Sequence, residues 1–245
     1  MTLSRSLVLT LALAGCATAE QHQEMEARVA QLEQKVEALE KAPKAAGGAA
    51  AAADPAAEEA AKKLYESISE KVSKGEMEAA KKEMTELTTK YGSTTMAKRA
   101  RKMAAELEVV GKTVPADWAK SVEKYYQGEG NVDLSSGTTL VVFWEVWCPH
   151  CRREVPELKA TYESLNSKGL NVVGLTKITR SATEEKVVEF IKENGVSYPT
   201  AKEDGKLSKE FNVSGIPAAA VVKDGKIIWR GHPARLNDEL LTGWL

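Results

Sequence analysis

Residues 138–147, TTLVVFWEVW, form a continuous run of apolar, β-branched and aromatic side chains carrying one charge, Glu145. A run without polar alternation suits a strand covered on both faces, so helices must pack on either side of it. Cys148 and Cys151 follow at once, in Cys-Pro-His-Cys. Downstream the chain alternates: RREVPELKATYESLNSKG predicts a helix, LNVVGLTKI a strand and ATEEKVVEFIKENG a second helix. A short segment around Tyr198-Pro199 and a one-turn helix near Leu207 come next. AAAVVK and KIIWRG, joined at Asp224-Gly225, predict a hairpin, and a last helix starts at Asn237. The expected class is α/β, with parallel βαβ connection first and an antiparallel hairpin last.

Upstream the texture differs. In residues 55–127 glycines separate helical stripes: Leu64, Ile68 and Val72; Met77, Ala80, Met84, Leu87 and Tyr91; then Met96, Ala100, Met103, Leu107 and Val110. Asp54-Pro55 marks the first helix start, Ser93 is placed to cap the third, and a fourth helix is expected from Pro115, carrying Trp118, Val122 and Tyr125. Residues 74–107 resemble one tetratricopeptide-type hairpin; a small bundle leaning on its neighbour is the simpler reading, and the Met and Tyr stripes read as core. Residues 43–54, rich in Ala, Gly and Pro, read as a tether. Met25, Val29, Leu32, Val36 and Leu39 set a coiled-coil seam within residues 16–42, and parallel self-association through residues 21–41 is weighed against a lone amphipathic helix.

The start, MTLSRSLVLTLALAGC, has the basic residue and short apolar stretch of a secretory signal over residues 1–15. Leu13-Ala14-Gly15-Cys16 resembles the lipobox of bacterial lipoproteins, which implies lipidation of Cys16 and a membrane anchor; the alternative is an ordinary signal peptide with a free cysteine nearby. Removing residues 1–15 deletes one positive charge, so the balance becomes 33 − 35 = −2. Ala17 lacks the Asp that retains lipoproteins at the inner membrane, which favours the outer membrane by resemblance. A near-neutral chain gives no sign of a nucleic-acid partner, and no apolar run reaches the length of a membrane span. Of three cysteines, lipidation of Cys16 leaves one pair.

That pair admits three chemistries. Zinc needs four ligands; there is no second Cys pair, and of His22, His150 and His232 only His150 is local, so no metal is expected. A structural Cys148–Cys151 disulfide would close a very short loop and stabilise little. A redox dithiol suits the position best. Cys148 at a helix start is exposed to unpaired N–H groups that favour thiolate, Pro149 suits the first helical position, and Cys151 lies one turn inward. Protonated His150 would add positive potential beside Cys148. No cofactor is required.

The order of elements with FWEVWCPHC resembles the thioredoxin fold, and in particular the membrane-tethered extracytoplasmic thiol-disulfide oxidoreductases related to TlpA and ResA, over residues 130–245. The resemblance rests on Phe143-Trp144 and Trp147, on RREVPEL after the second cysteine, and on SGIPAAAVVKDGKIIWRG. It implies a thioredoxin-like mixed sheet, Cys148 as nucleophile and Cys151 as resolving cysteine. It further implies a cis Ile216–Pro217 bond facing Cys148, substrate contacts at Trp147, Ile216 and Pro217, and Glu154 as the family's proton-relaying glutamate.

There are departures. Val142 stands where thioredoxin has a buried Asp, and Glu145 where the family has a small residue. Glu145 reads either as a substitute proton acceptor or as a carboxylate at the surface end of the strand. His232 reads as a loop residue. Pro149-His150 matches the oxidising periplasmic oxidase rather than the reductases. The expected function is therefore a cell-envelope reductase of client disulfides, lipid-anchored, facing the periplasm and fed by a membrane electron donor. A disulfide oxidase or isomerase, and a tethered scaffold that uses its helical domain, stand as alternatives.

Overall fold

The computed structural model describes residues 28–30, 54–130 and 132–245. Residues 28–30 are helical. The rest of the predicted coiled coil, the signal segment with Cys16, and residues 43–53 of the tether lie outside the described residues.

Helix α1 (Pro55–Ser73) starts as Asp54-Pro55 predicts: the Asp54 side chain accepts the Ala56 N–H at 3.3 Å, and Pro55 occupies the first turn. Its stripe, Ala61, Ile68 and Val72, is buried against α2 (Met77–Lys90), whose Met77, Ala80, Met84 and Leu87 face back. The predicted third helix is two pieces, α3 (Thr95–Arg99) and α4 (Arg101–Glu108), meeting at Ala100. Thr94, not Ser93, caps it: the Thr94 hydroxyl accepts the Ala97 N–H at 3.1 Å.

The predicted fourth helix is not formed. Trp118–Ser121 is one turn of 3₁₀ helix, and Val122–Gln127 is strand β1, paired antiparallel with β4 (Thr200–Glu203). The physical reason is the partner: β4 offers an unpaired edge, and β1's backbone satisfies it.

The sheet has six strands in the order β1-β4-β3-β2-β5-β6, with β2 Thr138–Trp144, β3 Leu170–Thr176, β5 Ala218–Lys223 and β6 Lys226–Gly231. β2 is parallel to β3 and β3 to β4, while β5 and β6 form the antiparallel hairpin beside β2. Asp224 (φ 47°) and Gly225 (φ 78°) both take the left-handed backbone that a two-residue hairpin turn requires. This is the thioredoxin-like mixed sheet expected.

β2 is buried at every position, and its side chains divide by parity. Leu140, Val142 and Trp144 join a core with α5 (Pro149–Leu165), α6 (Glu184–Glu193) and the N-terminal helices. Val141 and Phe143 join a second core with Leu207 and Phe211 of the segment around α7 (Lys206–Glu210). From Asp54 onward the described residues form a single compact unit, closed by α8 (Asp238–Gly243).

Candidate functional site

β2 ends at Trp144, and four residues later Cys148 is the N-cap of α5, with Pro149 in its first turn. A turn joins them: the Cys148 N–H donates to the Glu145 carbonyl at 3.1 Å. A buried strand thereby delivers Cys148 to a helix start, where the first N–H groups lack intrahelical partners. Both cysteines are free thiols and buried, Cys148 at 4% exposure and Cys151 at 0%. The Cys148 Sγ lies 3.7 Å from the Ile216 carbonyl oxygen, and the Ile216–Pro217 bond is cis, as the resemblance implied.

The two sulfurs are not equivalent. Burial pushes the Cys151 thiol well above its usual range, and its hydrogen bond to the Cys148 sulfur adds to that, outweighing a backbone contact from Glu145 that acts oppositely. Cys151 thus retains its proton, and Cys148, at the helix start, is the sulfur placed to attack a disulfide first.

The remaining expected residues divide. Trp147 and Ile216 are half-buried and flank Cys148 in sequence and in space respectively, with Pro217 buried beside them. His150 is exposed, and its Nδ1 accepts from the Arg153 guanidinium at 2.7 Å. A guanidinium can only donate, so the ring nitrogen is the acceptor of this contact and Arg153 brings a positive charge next to the ring. Glu154 is half-buried on α5, one turn beyond Cys151, and its charge reaches His232. His232 Nδ1 accepts the Ala234 N–H at 3.2 Å, capping the 3₁₀ turn Pro233–Arg235, which is a loop role of the kind expected. Val142 is core.

Glu145 is not at the surface. It is 6% exposed, and its Oε2 accepts from the Trp147 indole N–H at 2.6 Å and from the Thr179 hydroxyl. Thr179 and Arg180, in the loop after β3, were invisible to sequence reasoning. The Arg180 guanidinium stands 3.8 Å from the centre of the Trp147 ring, and the Thr179 hydroxyl is 3.2 Å from the indole nitrogen. Arg152 and Phe190 also border the site, with the guanidinium 5.1 Å over the ring. No sequence signal links these residues: Thr179 lies 34 positions from Glu145.

The Redoxin family matches residues 110–239. Over 143 residues the chain is 26% identical to sporulation thiol-disulfide oxidoreductase A of Bacillus subtilis (strain 168), covering 58% of this chain and 85% of that protein. Over 98 residues it is 29% identical to thiol-disulfide oxidoreductase ResA of Bacillus cereus (strain ZK / E33L), covering 39% of this chain and 55% of that protein. This chain therefore spans about half the length of that relative. The crystal structure of StoA from Bacillus subtilis is 26% identical, covers 50% of this chain and 93% of its own, and has a TM-score of 0.42.

Proposed function

The chain belongs to the Redoxin family, and we propose that it is a thiol-disulfide oxidoreductase that reduces disulfides of client proteins in the bacterial cell envelope. One observation carries this reading: a buried pair of free thiols in which Cys148 starts a helix and faces the Ile216 carbonyl at 3.7 Å, while Cys151 is fully buried one turn inward.

The steps follow from that asymmetry. The Cys148 thiolate attacks one sulfur of a client disulfide, the client S–S bond breaks, and one client thiolate leaves and takes a proton from solvent. The Cys151 thiol then gives its proton to a base, for which Glu154 is the proposed acceptor, and its sulfur attacks the Cys148 sulfur. The Cys148–Cys151 bond forms, the mixed disulfide breaks, and the second client sulfur leaves as a thiolate that takes up the proton given by Cys151. The client has gained two electrons and two protons. A membrane electron donor returns the pair to dithiol.

Trp147, Ile216 and Pro217 line the approach of an extended client segment, whose backbone pairs with the loop that precedes β5. Lipid on Cys16, facing the periplasm and favouring the outer membrane, is the proposed anchor. Residues 16–42 are proposed as a coiled coil able to pair two copies and residues 43–54 as a tether, with the helices within residues 55–127 as a bundle leaning on the redox sheet.

The Pro149-His150 pair favours a second reading, a disulfide oxidase. The known span is wide: thioredoxin sits at about −270 mV and the Cys-Pro-His-Cys oxidase at about −120 mV, with ~30 mV equal to ~1.4 kcal/mol. The test uses the full chain. It should reduce insulin with dithiothreitol, Cys148→Ser should abolish this, and the pair's potential should lie towards the thioredoxin end. Equal activity of wild type and Cys148→Ser would refute the enzyme reading, whereas a potential near the oxidase value would reverse the direction of electron flow.

A further inference from the structure

The cluster of Glu145, Trp147, Thr179 and Arg180 is not explained by thiol chemistry alone. Trp147 is a half-buried aromatic side chain next to the nucleophile, and such a ring on a surface ordinarily keeps rotamer freedom. Here it is held on two sides. Its edge N–H is fixed at 2.6 Å by a carboxylate oxygen that the Thr179 hydroxyl also binds, and its face is covered by the Arg180 guanidinium at 3.8 Å. Charge-assisted hydrogen bonds and cation–π stacking are among the stronger polar contacts available to an indole.

Arg180 pays no visible role elsewhere in the site, yet it takes a left-handed backbone (φ 51°), a conformation retained by a non-glycine residue where its surroundings over-determine it. The clamp ties the loop after β3 to the residue before Cys148. Trp147 also forms part of the wall of a cavity of about 490 Å³, with Val146, Arg152, Ser181 and Phe190. The Cys148 sulfur itself lies 3.7 Å from the carbonyl oxygen of Ile216. A site shaped in advance in this way lowers the ordering cost of binding, and the saving grows with the contact area of the ligand.

We propose that Glu145 is a positioning residue that, with Thr179 and Arg180, locks Trp147 as a fixed wall beside Cys148 and so suits the site to polypeptide disulfides over small ones. A client segment places a side chain in the cavity bordered by Trp147; a small disulfide reaches the sulfur without using that wall. The substrate-class part of this proposal rests on the oxidoreductase reading. The clamp itself does not.

The test has a spectroscopic and a kinetic arm, both on the full chain. Labelled with 5-fluorotryptophan, the protein's five Trp residues give fluorine resonances, and Trp147→Phe identifies the one of interest. Glu145→Ala and Thr179→Val should each displace the Trp147 resonance, while Glu145→Gln, which keeps an acceptor oxygen, should displace it less. A Trp147 resonance at its wild-type position in both Glu145→Ala and Thr179→Val overturns the clamp, and two chemically different variants guard against a single misfolded one.

In the kinetic arm, insulin and bis(2-hydroxyethyl) disulfide are compared as substrates. Glu145→Ala should raise KM for insulin about tenfold, the effect of one charge-assisted hydrogen bond, with a smaller fall in kcat. The loss on insulin should exceed the loss on the small disulfide. Equal losses on the two substrates would mean that Glu145 acts on the sulfur chemistry, and would overturn the polypeptide preference. Failure of the oxidoreductase reading looks different: the wild type would reduce neither substrate, and the fluorine shifts would still decide the clamp.

Discussion

Burial acts on two titratable side chains near the site in opposite senses, because one is an acid when neutral and the other a base. Cys151 is driven upward and stays a thiol. His232 is driven downward by burial, with Lys102 and Arg235 acting in the same direction and Glu154 and Glu106 opposing them. Protonation of His232 would also remove the Nδ1 lone pair that accepts the Ala234 N–H at 3.2 Å. The sign for stability follows. Above the unfolded value of about 6.5, His232 is neutral in both states and costs nothing. Below it the unfolded chain takes up the proton first, so stability falls as pH drops through the lowered folded value. Urea unfolding at pH 7.5 and pH 5.5 should therefore show a loss at the lower pH that His232→Asn reduces, because Asn offers an oxygen to the Ala234 N–H and does not titrate. An identical pH slope in the variant would remove His232 as its source. Carboxylates contribute to both slopes, so the difference between the two proteins is the quantity that decides.

At the scale of elements, β1 shows what local pattern can and cannot encode. Trp118, Val122 and Tyr125 have helical spacing, yet the segment is a 3₁₀ turn followed by a strand. Its burial shows no clean alternation, because it is an edge strand with bulged pairing to β4, and its register is set by residues almost eighty positions away. Where a segment's partner was its own neighbour, the sequence was readable, as at the Asp54-Pro55 helix start and the Asp224-Gly225 turn; β2, whose partners are distant, was readable from its unbroken apolar run. The cysteine pair and the cis Ile216–Pro217 loop were legible because they carry a family pattern. Glu145 was not, since its place depends on a loop after β3. The same long-range docking of β1 is open to test. Gln127 donates through Nε2 to the Val196 carbonyl at 2.9 Å and the Tyr198 carbonyl at 2.6 Å. Gly128 follows at φ 71°, and a Cβ there would lie 2.7 Å from Pro199 Cγ and 2.9 Å from its Cα. Gly128→Ala meets both a disfavoured backbone and a backbone clash, so it should cost about 2–4 kcal/mol in urea unfolding. Wild-type stability in this variant would show that the approach of Gly128 to Pro199 does not hold β1 in place.

Over the whole folded unit, the helices before residue 110 and the sheet behave as one body because they share a core. Ala61, Ile68, Leu87 and Leu107 belong to the same buried cluster as Leu140, Val221, Trp229 and Leu241. Polar ties reinforce the join. The segment after α4 pairs with the hairpin, the Gly111 N–H donating to the Ile227 carbonyl at 2.7 Å and the Val114 N–H to the Gly225 carbonyl at 2.8 Å. Arg235 meets the buried Glu106 at 3.3 Å, and the Trp244 ring packs on Gly75. The Redoxin match begins at Val110, so a fragment of residues 110–245 retains the whole matched region and both cysteines. It should nevertheless be markedly less stable, since losing the helices strips cover from Trp229, a side chain with 0% exposure, and removal of core cover of this size costs about 3 kcal/mol or more. The full chain should unfold in one transition, with Trp fluorescence, to which four of the five Trp residues contribute from the matched region, coinciding with far-UV dichroism, which also reports the helices. The fragment's transition should move to lower urea, and its exposed apolar face should bind a hydrophobic dye. Two separate transitions in the full chain, or a fragment as stable as the parent, would show that the helices are an independent attachment and contribute nothing to the stability of the redox site.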